Sequence, residues 1–238
     1  MWPDAEFPAD PYPGAVPPGS FVHVSGHSYP MTSGPSGWVV GGGSLDAWLS
    51  GRGAAPVAAR GPVLTYGSNR CPSKITWLRS ELGLGADPVV VVRVQTRDLA
   101  AVWAAGLRTR DGQRPAVLAL APGSTERHAV WLATAEQVTV LDRCEGRGDR
   151  YRLARLHSGS VRTEDGTVIE RPWCYLGHSG IRRPLLVDGQ LVRCTDVAQA
   201  AAQHLVGEAA AGDGLDAETV VGGPPPWPPD PAGCAERV

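Results

Sequence analysis

Short apolar runs separated by turn-forming residues dominate the middle of the chain. Where these runs are rich in β-branched side chains, as in the four consecutive valines at 89–92, the pattern predicts strands. Strands are predicted over residues 62–66, 88–94, 116–120, 129–133, 150–156 and 167–175. Two further short runs, 185–187 and 191–193, flank Asp188 and Gly189, a pair that is typical of a two-residue hairpin turn.

Helical spacing of apolar residues is less frequent. Ile75 and Leu78 recur on one face of a segment that begins with a proline, which favours a helix there. Thr134 and Gln137 stand in capping-box spacing, so a helix should begin at Thr134. Helices are predicted over residues 72–82, 97–105 and 196–206 and from Thr134 onward.

The order of these elements indicates the fold class. Strands interleaved with only a few short helices favour an α+β fold, with a mixed sheet or a small mixed β-barrel and helices packed beside it. A doubly wound parallel sheet would need crossover helices at more regular intervals. The folded domain is predicted to cover residues 61–206.

The two ends of the chain differ in composition from this domain. Residues 1–37 contain eight prolines, which interrupt regular elements because proline lacks an N–H donor. We therefore expect residues 1–60 to form a Pro/Gly-rich extension that is partly disordered. Residues 207–238 are predicted to be a Pro-rich tail, ending in a run of prolines around Trp227 that could be either solvated or a ligand for a partner domain.

Composition and charge exclude several function classes. The formal net charge is −2 and the sequence pI about 6.3, which does not favour nucleic acid or an anionic membrane as a partner. The five cysteines include no C-x-x-C pair, so neither a disulfide framework nor a zinc site is expected. No segment is predicted to be a secretory signal or a membrane span. A cytoplasmic location, with no metal, is the expectation.

A first candidate motif lies between the predicted strand 62–66 and the predicted helix 72–82. A glycine at this point lets the backbone turn and approach a ligand closely, and the first free N–H groups of the helix could bind an anion. Spacing alone favours a purely structural turn, with Asn69 as the helix N-cap. The motif is Tyr66-Gly67-Ser68-Asn69.

A second candidate motif ends the helix that begins at Thr134. Gly146 would be the left-handed residue that terminates this helix, which places Glu145 at the helix C-terminus. The negative end of the helix dipole disfavours a carboxylate there, and a raised pKa would suit a general acid/base. On its own, Glu145 could also be an exposed surface residue. The motif is Leu141-Asp142-Arg143-Cys144-Glu145-Gly146, and Tyr151 follows it.

In combination, the two motifs resemble the γ-glutamylcyclotransferase superfamily. The resemblance rests on a strand-borne Tyr-Gly-Ser-Asn, followed about 75 residues later by Leu-Asp-x-x-Glu-Gly and a strand with a tyrosine. The segment 118–131 and the downstream Tyr175 also fit. The resemblance covers about residues 61–176. The sequence departs from the family pattern after Asn69, where Arg70-Cys71-Pro72 stands in place of an apolar residue.

The resemblance implies a fold, a reaction and roles for seven residues. The fold would be a small mixed β-barrel with outer helices, and the reaction would release 5-oxoproline from a small γ-glutamyl compound without cofactor or metal. Glu145 would be the general acid/base. The substrate would be bound by Tyr66, Gly67, Ser68, Asn69, Tyr151 and Tyr175.

Other interpretations of the same residues stay open. Cys144 could be a nucleophile, although a buried inert thiol is favoured. Arg150 and Arg152 could bind a substrate carboxylate or line the solvated face of a strand. His23 and His27 are four residues apart, but the surrounding prolines and glycines disfavour a metal site. The chain could also be a non-catalytic ligand- or protein-binding member of the fold, or remove a γ-glutamyl protecting group from a biosynthetic intermediate.

Overall fold

Strands are the main regular elements of the molecule, which a computed structural model describes over residues 1–34 and 37–221. The strands are β1 (Trp2–Pro3), β2 (Phe21–Val24), β3 (His27–Gly34), β4 (Gly37–Val40), β5 (Gly43–Ser44), β6 (Gly61–Thr65), β7 (Val89–Trp103), β8 (Ala116–Ala133), β9 (Tyr151–Leu156), β10 (Ser160–Thr163), β11 (Trp173–Gly177), β12 (Leu185–Val187), β13 (Gln190–Leu191), β14 (Glu208–Ala209) and β15 (Ala217–Thr219).

The helices of the described residues are few and short. The α-helices are α1 (Leu45–Ser50), α2 (Pro72–Leu82), α3 (Ala135–Glu145) and α4 (Gln199–Ala202), and single 3₁₀ turns cover Asp4–Glu6, Val57–Ala59, Ser68–Arg70 and Gly180–Arg182. The predicted α+β class is confirmed. Within the described part of the chain, no helix is long and apolar enough to cross a bilayer.

The sheet is an open path instead of the expected barrel. Its order is β15-β9-β11-β6-β8-β7-β2-β3-β4-β5, with β1 paired to β3 and β10 paired to β7. Among the described residues, β15 pairs only with β9 and β5 only with β4, so no pairing closes the ring. The β11–β6 pair is parallel, which makes the sheet mixed. A separate three-stranded sheet has the order β13-β12-β14.

The β7–β8 hairpin forms the centre of the sheet. The two strands pair antiparallel from Val90 opposite Leu132 to Trp103 opposite Ala116, with a register shift between Arg97 and Leu99. The predicted helix over 97–105 is wrong, because residues 99–103 continue β7. All five of these side chains are buried, and an unbroken apolar run does not distinguish a buried strand from a buried helix.

Alternate side chains of β7 enter two hydrophobic clusters, one on each face of the sheet. Val90 and Val92 pack with residues of α1, whereas Val89 and Val91 pack with residues of α2 and α3. This alternation is the two-residue period of an extended strand. Both faces are therefore covered, which explains why the strand reads as a continuous apolar run instead of an alternating one.

Residues 1–60 share the sheet and the core with the rest of the chain. β2 pairs with β7, placing Phe21 opposite Val91, and Tyr12 is buried in the same cluster as the α1 side chains. Asp4 accepts hydrogen bonds from Thr76 of α2 and from the ring of His23. The domain boundary at residue 60 stays a prediction, but the structure joins the two sides of it by a ladder and by buried contacts.

Several local predictions are confirmed and others are corrected. The helix over 72–82 is α2, and the capping box of Thr134 and Gln137 begins α3. Asp188 and Gly189 both have positive φ, as a two-residue hairpin turn requires. The helix expected over 196–206 is only the four residues of α4. The proline run at 224–229 lies outside the described residues.

The pairing of β2 with β7 predicts that the first residues contribute to stability. Phe21→Ala should lower the free energy of unfolding by about 3–5 kcal/mol, because it removes a fully buried aromatic side chain. Val16→Ala, at an exposed position nearby, should change it by less than about 0.5 kcal/mol. Equal effects of the two variants in urea unfolding would contradict this and favour a loosely attached extension.

Candidate functional site

A cavity of about 560 Å³ opens where the end of β6, the start of α2 and the end of α3 meet. All seven residues that the sequence singled out line it: Tyr66, Gly67, Ser68, Asn69, Glu145, Tyr151 and Tyr175. Their roles stay predictions, but the fold brings them to one place. Further lining residues, among them Tyr12, Lys74 and Arg182, were not foreseen.

The turn after β6 is held tightly on both sides. A Cβ atom on Gly67 would lie 2.7 Å from the Tyr12 hydroxyl oxygen, so a larger residue would displace that ring. The Trp131 indole N–H donates to the Asn69 carbonyl at 2.8 Å. Because Trp131 belongs to β8, the central hairpin fixes the position of this turn.

Asn69 does not cap α2, which corrects the structural interpretation of the first motif. The N-cap of α2 is Cys71, and no side chain caps the helix there. The Asn69 amide N–H instead donates to Oε1 of Glu145 at 2.6 Å. Asn69 is 9% exposed, so this hydrogen bond lies largely out of solvent.

Glu145 is the last residue of α3, as the sequence predicted. Gly146 terminates the helix with φ 65° and ψ 58°, in the left-handed region. The Arg150 guanidinium donates to the backbone carbonyls of Cys144 and Glu145, at 2.9 and 3.2 Å, and so satisfies the end of the helix. The helix end that carries Glu145 is therefore fixed by its own C-cap.

The surroundings of Glu145 act on its pKa in opposite directions. Burial raises the pKa above its usual value, and this is the larger effect. The hydrogen bond from Asn69 and the positive charges of Lys74, Arg150 and Arg182 partly oppose it. The carboxyl group can consequently exchange a proton closer to neutrality than a solvated glutamate.

The tyrosines of the cavity donate to fixed protein acceptors. Tyr66 donates to the Tyr175 carbonyl at 2.6 Å, Tyr175 to an oxygen of Asp142 at 2.7 Å, and Tyr151 to the Ala116 carbonyl at 3.2 Å. Burial raises the pKa of all three hydroxyls well above the usual value. They remain protonated and shape the wall, so Glu145 is the better candidate for proton transfer.

Lys74 and Arg182 are buried cations that sequence reasoning missed. Lys74 Nζ lies 3.3 Å from the centroid of the Trp77 ring, and burial lowers the pKa of its amine. Arg182 is 6% exposed and its guanidinium carbon lies 5.9 Å from the centroid of the Tyr151 ring. Lys74 is the only lysine in the sequence, and this was the one sequence signal that could have identified it as a candidate site residue.

The structure bears on the other roles that the sequence left open, those of a cysteine nucleophile, an arginine that binds a carboxylate and a metal site. Burial raises the pKa of the Cys144 thiol to about 11, which disfavours a thiolate nucleophile. Arg152 pairs with Asp213 and Thr219 and does not line the cavity, which disfavours the alternative that it binds a substrate carboxylate. Arg150 does line the cavity, but the helix end occupies its guanidinium. Among the described residues, no group of His, Cys, Asp or Glu could hold a metal ion.

Comparisons with known proteins give few matches. No protein-family model and no curated protein matches the chain. Solved structures that are similar to it include the following two. An uncharacterized protein from Homo sapiens has 17% identity and a TM-score of 0.42, covering 51% of this chain and 68% of its own. A gamma-glutamyl cyclotransferase has 18% identity and a TM-score of 0.40, covering 50% of this chain and 66% of its own.

Because the pKa of Glu145 is raised in the folded protein, the free energy of unfolding should depend on pH through this residue. A glutamate has a pKa of about 4.3 in the unfolded chain, so between that value and its higher folded pKa the folded state binds more protons. The Glu145 contribution to the free energy of unfolding should therefore fall as pH rises through this window. Glu145→Gln should remove the fall and be the more stable protein at pH 7.

Urea unfolding of both proteins between pH 4 and pH 8 would measure this difference. Glu136→Gln is the matched control, because Glu136 is exposed on the first turn of the same helix. Parallel pH profiles for the wild type and Glu145→Gln would contradict the burial of this carboxyl group.

Proposed function

We propose that this chain is a γ-glutamylcyclotransferase-type enzyme, lyase-like in its chemistry. It would cyclise the γ-glutamyl group of a small γ-glutamyl amine or dipeptide and release 5-oxoproline and the free amine. The observation that carries the proposal is the 2.6 Å hydrogen bond between Asn69 and Glu145 inside the cavity. It joins the two sequence motifs on which the resemblance rests, 76 residues apart in the chain.

The reaction needs one carboxyl group and a fixed conformer. The substrate's α-amine attacks its own γ-carbonyl carbon, a C–N bond forms within a five-membered ring, and the bond to the leaving amine breaks. Since nucleophile and electrophile belong to one molecule, binding has mainly to hold the attacking geometry. Glu145 would accept the proton that the α-amine loses and return it to the departing amine.

The electrostatics of the cavity fit these steps. A general acid/base works best when its pKa lies near the operating pH, and burial moves the pKa of Glu145 upward. Asn69 holds one carboxyl oxygen and so orients the other. Backbone N–H groups of the turn 66–69 are our candidates for stabilising the oxygen of the attacked carbonyl, since they belong to the segment beside the carboxylate.

A panel of γ-glutamyl dipeptides, γ-glutamylamines and glutathione, assayed for 5-oxoproline, would test the proposal. The wild type should release 5-oxoproline from at least one of them. Glu145→Gln keeps the size of the side chain but removes the base, and should lower kcat by roughly 10²–10⁴-fold. Glu136→Gln should retain activity.

Two results would contradict this assignment. Unchanged turnover in Glu145→Gln would remove Glu145 from the mechanism. A wild type that binds γ-glutamyl compounds without releasing 5-oxoproline would favour the second function, that of a non-catalytic member of the same fold.

The role of Asn69 predicts a shift in the pH dependence of activity. Its N–H donates to the charged carboxylate and lowers the pKa of Glu145, so Asn69→Ala should raise that pKa further. Because the base must be deprotonated, the acid limb of kcat/KM should move to higher pH in Asn69→Ala. A limb that stays in place would show that another group titrates there.

A further inference from the structure

Four buried polar atoms along the cavity have no hydrogen-bond partner among the residues that the structure describes. Two belong to the guanidinium of Arg182, its Nε and Nη1, and the others are Asn69 Oδ1 and Ser179 Oγ. A buried polar group without a partner is costly, and in a cavity such groups can be satisfied by an ordered water or by a ligand that displaces it.

The backbone around Arg182 is held rigidly. Arg182 lies in a 3₁₀ turn whose neighbours bond to the segment after β7: Gly106 N–H donates to the Ile181 carbonyl and Ala105 N–H to the Arg183 carbonyl, at 2.9 and 2.8 Å. A Cβ atom on Gly177 would lie 1.9 Å from the Arg182 carbonyl oxygen. The guanidinium is therefore presented from a fixed backbone, not from a loose loop.

The other arginines of the cavity are already engaged. Arg108 forms a two-pronged pair with Asp111, with nitrogen–oxygen distances of 3.0 and 2.7 Å, and Arg110 donates to the same carboxylate at 3.2 Å. Arg143 donates to the Leu82 carbonyl, and Arg150 closes the end of α3. Arg182 differs from them in being almost wholly buried with free donors, which suits it to an anionic group of a ligand.

We infer that Arg182 binds the α-carboxylate of the γ-glutamyl group, an assignment that rests on the proposed function. A planar guanidinium offers adjacent N–H donors that match the two oxygens of a carboxylate. Asn69 Oδ1 would then accept from the substrate's α-amine, next to Glu145, and Ser179 would donate to a carboxylate oxygen. The α-carboxylate, which every unmodified γ-glutamyl compound carries, thereby becomes the group by which the protein distinguishes a γ-glutamyl from a 4-aminobutanoyl compound.

Two matched pairs of compounds isolate the α-carboxylate. The first pair is the best γ-glutamyl substrate of the panel and its 4-aminobutanoyl analogue, which cyclises in the same way but lacks the carboxylate. The second pair is 5-oxoproline and 2-pyrrolidinone, compared by titration calorimetry without any turnover. The protein variants are Arg182→Gln, Arg182→Lys and the control Arg183→Gln, at an exposed neighbouring position.

Arg182→Gln should lower kcat/KM for the γ-glutamyl substrate by about 10- to 100-fold, the range expected for a hydrogen-bonded charge pair. It should lower kcat/KM for the 4-aminobutanoyl analogue much less, because that compound has no carboxylate to bind and is affected only through the charge of Arg182 near Glu145. Arg182→Lys should lower kcat/KM less than Arg182→Gln does, since lysine keeps the positive charge but lacks the paired N–H donors of the guanidinium. Arg183→Gln should behave as the wild type with both compounds.

The outcomes separate the two proposals. If the wild type turns over and Arg182→Gln keeps the full preference for the carboxylate, the Arg182 assignment is overturned and the cyclotransferase proposal stands. If nothing turns over but 5-oxoproline binds better than 2-pyrrolidinone, and only with Arg182 present, the reaction is overturned and the assignment stands. Binding that does not depend on the carboxylate overturns the assignment.

A stability measurement distinguishes ligand binding from a structural role. Removing a buried charge that has no partner should leave the ligand-free protein as stable as the wild type or more stable. A clearly lower unfolding midpoint of ligand-free Arg182→Gln in urea would instead show that Arg182 supports the fold, and would overturn the assignment.

Discussion

The antiparallel pairing of β7 with β8 is the constraint on which the rest of the molecule depends. Every major part is attached to this hairpin: β2 and the N-terminal strands along β7, and β6 and the strands beyond it along β8. Its side chains alternate between two hydrophobic clusters, so one pair of strands organises the core on both faces of the sheet. The hairpin also positions the cavity. Asn69 lies in the turn that follows β6, and Trp131 of β8 fixes this turn by a hydrogen bond to the Asn69 carbonyl.

The candidate site combines a rigid frame with a few unsatisfied groups. Most polar groups of the cavity wall have protein partners. They include the tyrosine hydroxyls, the C-cap of α3 and the Arg108–Asp111 pair. Two groups differ from them: burial raises the pKa of Glu145, and Nε and Nη1 of Arg182 have no hydrogen-bond partner among the described residues. Buried ionisable groups with perturbed pKa values cluster at functional sites.

The features that the sequence predicted correctly are those that depend on interactions between residues close together in the chain. A capping box, a proline at the start of α2 and an Asp-Gly turn each act within a few residues, so they can be read from the chain without its fold. The extent of β7 and the contacts of Arg152 with Asp213 and Thr219 depend on which distant segments become neighbours. Arg182 had no local signal, since only the packing of its turn against the segment after β7 brings it to the cavity. The two sequence motifs found the carboxylate, whereas the unpartnered cation became visible only in three dimensions.

The position of Tyr12 has a consequence for dividing this protein into parts. Its hydroxyl oxygen accepts from the Ala116 N–H at 3.0 Å and faces Gly67, so the N-terminal arm supplies a wall of the cavity. Docking of residues 1–60 and ligand binding in the cavity are consequently coupled equilibria, and each changes the other by the same free energy. A fragment that begins at residue 61 would keep both sequence motifs but would lack Tyr12, and its cavity would therefore have a different wall. A boundary that divides the sequence does not divide the cavity.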